Sequence, residues 1–312
     1  LVASANGILR ALNCDEVKSI GFDKAYQDTI KKMRDIKEGK KRSILNTGLD
    51  KFDEVVALSE KKMICIAAQK KVGKTRFTVD LIDRIIGNNK DVAVQWFSLE
   101  MLSDELVRCF ISRKVKLTDK QLMGKGHTLT DFEMNHIEAA YEYFKKYPIE
   151  FIDEPVNVFN ICSRFERFAE KHKGKLPILV IDNLGLIKPH IENSNLYEDD
   201  IARMLKNLRD ITGGIIIFLH HLTKESESKW NKETAYEPKT THIRGSSRIA
   251  DFSNQILLLH RPDHYSDLVE EAKAKGLDIK GIFQVDVAAN RDGSEEKIIF
   301  RHQIQHCLFE EK

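Results

Sequence analysis

The stretch "AAQKKVGKTRF", Ala67 to Phe77, decides how the rest of the chain is read. It carries the Gly-Lys-Thr of a nucleotide-binding loop, yet Ala68 stands where the pattern G-x-x-x-x-G-K-[ST] begins with glycine. A lysine-rich chain can produce Gly-Lys-Thr by chance, so the flanks must decide. A phosphate loop leaves a strand and opens a helix, because only then do its backbone N–H groups and the helix N-terminus converge on one anion. Both flanks comply. "MICIAA", Met63 to Ala68, is an apolar run of strand length, and "KTRFTVDLIDRII" places Phe77, Leu81, Ile82, Ile85 and Ile86 on one helical face. In this setting Gly73 permits close backbone approach, Lys74 reaches the terminal phosphates, and Thr75 offers a hydroxyl to Mg²⁺.

Beyond this unit, short β-rich runs alternate with longer amphipathic stretches. The runs are "VAVQWFSLE", "IEFID", "PILVIDNL", "IIIFLHH", "QILLLH", "FQVDVAA" and "KIIFRH". Strands separated by helical segments predict crossover connections and a largely parallel sheet. The last two runs, joined by "NRDGSEE", read as a hairpin with Asp292-Gly293 at or near its turn. A metal-orienting carboxylate is expected on a neighbouring strand, and "PILVIDNL" supplies Asp182 after four aliphatic residues. "QWFSLEM" brings Glu100 to the same sheet edge, where an acid can orient or deprotonate water; alternatively it belongs to the helix start "SDELV".

The chain has 312 residues, 42% hydrophobic and 31% charged, as in soluble globular proteins. Its 50 basic residues nearly balance 48 acidic ones, so a nucleic-acid surface would have to be local patterning. The cysteines, Cys14, Cys65, Cys109, Cys162 and Cys307, form no C-x-x-C pair and fit a reduced intracellular, cytoplasmic setting. No apolar run approaches the roughly 18 residues of a membrane helix, so no membrane association is expected. The His220-His221 pair has no ligand-spaced Cys or carboxylate around it and is not read as a metal site.

Phe22, Tyr26, Ile30 and Met33 recur at helical spacing on a segment otherwise rich in Lys and Asp, which predicts a helix with one narrow apolar stripe. "KEGKKR", Lys37 to Arg42, follows as a solvated tether or a phosphate-facing patch. The expected division is an N-terminal segment with a linker helix over residues 1–42 and a globular domain over 43–312. The first residues, starting at Leu1, read as a cut edge.

"FSLEM", the loop beginning with Ala68, "LVIDNLGLI", "HIRGSSRIADFSNQILLLHR" and "ANRDG" occur in an order that resembles DnaB-type replicative helicases of the RecA-like superfamily, over roughly residues 43 to 305. The resemblance implies an α/β RecA-like P-loop NTPase with a mostly parallel central sheet, preceded by a helical linker segment. It implies that Gly73, Lys74 and Thr75 bind ATP, that Thr75 and Asp182 order Mg²⁺, and that Glu100 is the catalytic base. His221 falls where the family often carries a glutamine that senses the γ-phosphate. Arg291 matches an arginine finger reaching the neighbouring subunit's nucleotide, although Ala289 replaces the lysine that usually assists it. "IRGSS" matches the loop that holds single-stranded DNA, making Arg244, Gly245 and Ser247 DNA-contact candidates, with Lys239 beside them.

The same likeness implies a homo-oligomer, a hexameric ring, in which the helix bearing Phe22, Tyr26, Ile30 and Met33 packs on a neighbour. The family's primase-recruiting N-terminal domain is missing or reduced to Leu1 to Gly21, and a primase or a loader is the expected class of partner. The leading expectation is an ATP-driven translocase on single-stranded DNA. The alternatives are a recombination ATPase of the RecA or RadA kind and a weakly hydrolysing scaffold or loader ring.

Overall fold

The computed structural model describes residues 19–39, 44–188, 197–227, 235–243 and 251–312. The chain divides into two units, 1–43 and 44–312. The first contains helix α1 (Phe22–Lys37), in which the rings of Phe22 and Tyr26 stack with centroids 6.2 Å apart and no residue is buried.

The second unit is built on a nine-stranded sheet. Its strands are β1 (Met63–Ala68), β2 (Val92–Ser98), β3 (Ile149–Ile152), β4 (Leu176–Asp182), β5 (Ile215–His221), β6 (Gln255–His260), β7 (Ile282–Asn290), β8 (Lys297–Gln303) and β9 (Leu308–Glu311). The order is β3-β2-β4-β5-β1-β6-β7-β8-β9. From β3 to β6 all neighbours are parallel, whereas β7, β8 and β9 add as an antiparallel meander. All six residues of β1 are buried, as a central parallel strand covered on both faces requires. The predicted hairpin is β7 and β8; β9, with its short "LFEE" run, carries too little apolar patterning to be read as a strand and is recruited by pairing Phe300 with Glu311 and Gln303 with Leu308.

Helices α2 (Asp50–Val56), α3 (Lys74–Asn88), α4 (Ser103–Val115), α5 (Asp119–Leu122) and α6 (Asp131–Phe144) precede β3. Further along the chain come α7 (Val158–Lys171), α8 (Tyr197–Thr212) and α9 (Ser266–Ala274). Alternating residues of β1 face two cores: Ile64, Ile66 and Ala68 join α2, α3 and α4, while Met63, Cys65 and Ala67 join α7 and α8. In the first core, Phe77 of α3 lies 5.4 to 6.3 Å from the rings of Phe52, Phe283, Phe300 and Phe309. Burying each such ring contributes about 1.5–3 kcal/mol, so α3 is clamped to the antiparallel half of the sheet as well as to β1.

Charge completes the attachment of α3. The buried carboxylate of Asp80 meets Arg84 at 2.8 Å and Arg113 of α4 at 2.8 Å, and Asp83 meets Arg113 at 3.1 Å and Lys114 at 2.9 Å. The Lys114 ammonium also sits 3.8 Å from the Tyr143 ring centroid. The helix that follows the loop is therefore held by rings on one side and by a shared ion network on the other.

Candidate nucleotide site

In a parallel sheet the strand C-termini open onto one edge, and that edge collects the predicted residues. Ala68 pairs with His221, and Ser98 pairs with Asp182. Loop Gln69 to Gly73 leaves β1 there. Lys71 has φ 64° and Gly73 has φ 118°, turning successive backbone units inward. Gly73 is required twice over: an L side chain rarely adopts its φ, and a Cβ would come 2.5 Å from Cδ1 of Ile304. The Gln69 amide closes the loop's other side, donating to the Thr223 carbonyl at 2.6 Å and to the Ser226 hydroxyl.

Helix α3 starts at Lys74 with no side-chain cap, which leaves the N–H groups of its first turn pointing into the loop. Lys74 is only 6% exposed, and burial pulls its ammonium down to about 8, opposed by the negative charges of Asp182 and Glu100. The Thr75 hydroxyl donates to Oδ2 of Asp182 at 2.6 Å. Oδ1 of the fully buried Asp182 has no hydrogen-bond partner among the described residues. Burial pushes the Asp182 carboxyl up to about 6, opposed by the bond from Thr75. A threonine hydroxyl beside an unsatisfied carboxylate oxygen is a hard-oxygen set that suits Mg²⁺.

Strand β2 ends at Ser98, and Glu100 stands two residues further on, its N–H bonded to the Asp182 carbonyl at 3.2 Å. Its Oε2 accepts from the Asn183 amide at 2.8 Å and lies 3.2 Å from His221 Nε2. The hydrogen bond from His221 is the main cause that lowers the Glu100 carboxyl to about 2, against partial burial. On the other side of the ring, His221 Nδ1 lies 2.9 Å from Lys74 Nζ. An ammonium can only donate, so Nδ1 accepts and Nε2 carries the hydrogen given to Glu100. Lys74, His221, Glu100 and Asn183 form one continuous chain of hydrogen bonds.

Arg291 lies elsewhere. Ile64 of β1 pairs with Gln255 of β6, and Gln255 pairs with Asn290 of β7, so Arg291 follows a strand end on the edge opposite the loop. The six residues of β1 separate the two edges by roughly 16–20 Å at ~3.3 Å per residue, beyond the reach of an arginine side chain. Its guanidinium donates to the Asp251 carbonyl, and its neighbour Asp292 pairs with Lys62. Ala289 pairs with Ile256 and packs on the second core. Lys239 is exposed beside the short turn Thr240–His242, whose following residue Ile243 bridges to Leu222 just after β5. Arg244, Gly245 and Ser247 lie outside the described residues.

Two contributors escaped the sequence reading. Asn183 bears no motif signal beyond following Asp182. Ile304 closes over Gly73 from a distant segment near the C-terminus, where Arg76 of α3 donates to the Ile304 carbonyl at 2.9 Å.

The sheet order, the loop after its central strand and the acids on adjacent strand ends define a RecA-like P-loop nucleotide-binding fold. Residues 45–311 match the model of the DnaB-like helicase C-terminal domain, and the chain belongs to that family. It is 25% identical over 272 residues to the replicative DNA helicase DnaB of Haemophilus influenzae, covering 85% of this chain and 55% of that protein. It is 28% identical over 255 residues to a probable plasmid replicative DNA helicase of Chlamydia psittaci, covering 80% and 52% respectively. The chain thus spans about half the length of these curated relatives. Among solved structures, an isolated ATPase domain superposes with a TM-score of 0.81 at 21% identity, covering 94% of this chain and 99% of that one. A DnaB-like replicative helicase described with its interactions with primase gives 0.77 at 19% identity, covering 99% and 71%.

Proposed function

We propose that this chain is the motor domain of a replicative DNA helicase, residues 43–312, with residues 1–42 as a linker segment, and that it hydrolyses ATP to move along single-stranded DNA as a hexameric ring. The observation that carries the reading is the convergence of Lys74, Thr75, Asp182, Glu100 and His221 on one sheet edge around an uncapped helix N-terminus. Lys74 and the loop N–H groups bind the phosphates, and Gly73 lets the backbone approach them. Thr75 and Asp182 would hold Mg²⁺, which supplies charge neutralisation at the transferring phosphate. Glu100 is ionised at neutral pH and takes a proton from the attacking water.

The position of Arg291 on the far edge supports action across a subunit boundary, on the nucleotide of a neighbouring copy. Arg244, Gly245, Ser247 and Lys239 are the proposed contacts to the DNA backbone. A primase or a loader is the proposed class of further partner. A cytoplasmic setting is proposed as well; no described helix is long and apolar enough to cross a membrane.

The test is steady-state ATP hydrolysis with and without single-stranded DNA, comparing the chain with Glu100→Gln across concentrations that span assembly. Strong DNA stimulation that Glu100→Gln abolishes is the expected result. Nucleotide binding with negligible hydrolysis in both would replace the motor with a nucleotide-held scaffold.

A further inference from the structure

We propose that His221 is a positioning residue with two duties: it aims the carboxylate of Glu100, and it holds the Lys74 ammonium until a phosphate takes it. The proposal rests on the ATPase reading above. It differs from a role in which the side chain at this position only reads the terminal phosphate.

The ring is fixed on all sides. His221 is the last residue of β5, in register with Ala68, the last residue of β1. Its carbonyl lies 2.9 Å from Nδ1 of His220. Nδ1 faces Lys74 and Nε2 faces Glu100, with the imidazole spanning the gap between the loop strand and the turn after β2. Because Lys74 is a pure donor, the ring is held in the Nε2–H tautomer without any help from solvent.

That tautomer fixes the acid. His221 and Asn183 both donate to Oε2 of Glu100, one from β5 and one from the end of β4. Two donors on one oxygen set the plane of the carboxylate and leave Oε1 to face water. Without the imidazole, Glu100 keeps a single side-chain donor and can rotate about it, which lowers the fraction of time Oε1 is placed for proton abstraction.

The other half concerns Lys74. It donates to His221 Nδ1 at 2.9 Å and reaches the Ala68 carbonyl only at 3.4 Å. A bound phosphate must therefore draw the ammonium away from an acceptor already in place, and part of the nucleotide's binding energy is spent on that exchange. Removing the ring removes the competitor. The consequence is opposite in sign for the two observables: affinity rises while turnover falls. A residue that only read the terminal phosphate would lose affinity for the triphosphate on truncation.

Glutamine supplies the natural control. Its amide oxygen can accept from Lys74 and its NH₂ can donate to Glu100, with the two atoms spaced much as the two ring nitrogens are. His221→Gln should keep both duties, whereas His221→Ala keeps neither.

The experiment measures the dissociation constants of ADP and of a non-hydrolysable ATP analogue for the full chain, His221→Ala and His221→Gln, with single-turnover ATP hydrolysis in parallel. His221→Ala should bind both nucleotides about fivefold tighter, as expected on losing one competing charged hydrogen bond. Its hydrolysis step should slow about tenfold or more, and His221→Gln should restore both values to near those of the parent chain. Nitrogen NMR of the histidine rings in the nucleotide-free parent should show His221 protonated at Nε2, a readout that does not depend on any variant folding. Weaker or unchanged binding by His221→Ala, no rescue by His221→Gln, or an Nδ1–H ring would each overturn the proposal. Failure of the parent chain to bind nucleotide at all would instead overturn the ATPase reading beneath it.

Discussion

Gly73→Ala tests the loop geometry most directly. Gly73 sits at φ 118° and ψ 27°, and placing an L residue in left-handed backbone costs about 1–2 kcal/mol. The added methyl carbon would also stand 2.5 Å from Cδ1 of Ile304, closer than non-bonded carbons tolerate. Ile304 is half-buried against the first core, so its side chain can move only by leaving its rotamer, at about 1 kcal/mol. The two costs together predict a loss of about 2–3 kcal/mol. For a domain of this size that corresponds to a fall in Tm of about 4–12 °C.

A double-mutant cycle with Ile304→Ala separates them. Truncating Ile304 removes the colliding carbon but not the backbone strain, so Gly73→Ala should cost about 1 kcal/mol less in that background. Denaturant unfolding of the four proteins gives the coupling energy. A cost below about 0.5 kcal/mol for Gly73→Ala alone would refute the strain reasoning. A full cost with no coupling would refute the contact between the C-terminal segment and the loop.

Other perturbations follow from the same geometry. Arg291→Ala should retain nucleotide binding while hydrolysis drops by about 10³, and mixing it with Lys74→Ala should recover part of the activity, because a mixed interface joins an intact loop to an intact arginine; a mixture no more active than its components, with co-assembly demonstrated, would place the arginine's action within one subunit. Arg113→Ala leaves buried Asp80 and Asp83 short of a shared cation and should destabilise by about 3 kcal/mol in denaturant unfolding, whereas a loss under about 1 kcal/mol would show the network to be slack. Burial lowers His260 from 6.5 to about 4, so between these pH values the unfolded chain binds a proton that the folded chain does not. Stability should therefore fall by about 3 kcal/mol as pH drops from 6.5 toward 4, and His260→Leu should remove that share of the pH dependence; an unchanged pH slope would disprove it.

What the sequence determined alone is what short-range pattern encodes. "MICIAA" followed by "KKVGKT" and an amphipathic run specifies strand, loop and helix within two dozen residues, because side-chain period and glycine's backbone freedom act locally. Asp182 was legible for a similar reason: an acid ending a run of aliphatic residues has to emerge at the C-terminal edge of a buried strand. Only the tertiary structure decided which strand ends become neighbours. The order β2-β4-β5-β1 sets Glu100, Asp182 and His221 around Lys74, although as many as 147 positions separate the bonded pair Lys74 and His221. Pairing of β6 with β7 puts Arg291 on the opposite edge, and the meander through β9 carries Ile304 back over Gly73. Such contacts depend on how distant segments bury their apolar faces together, and no local periodicity records that choice.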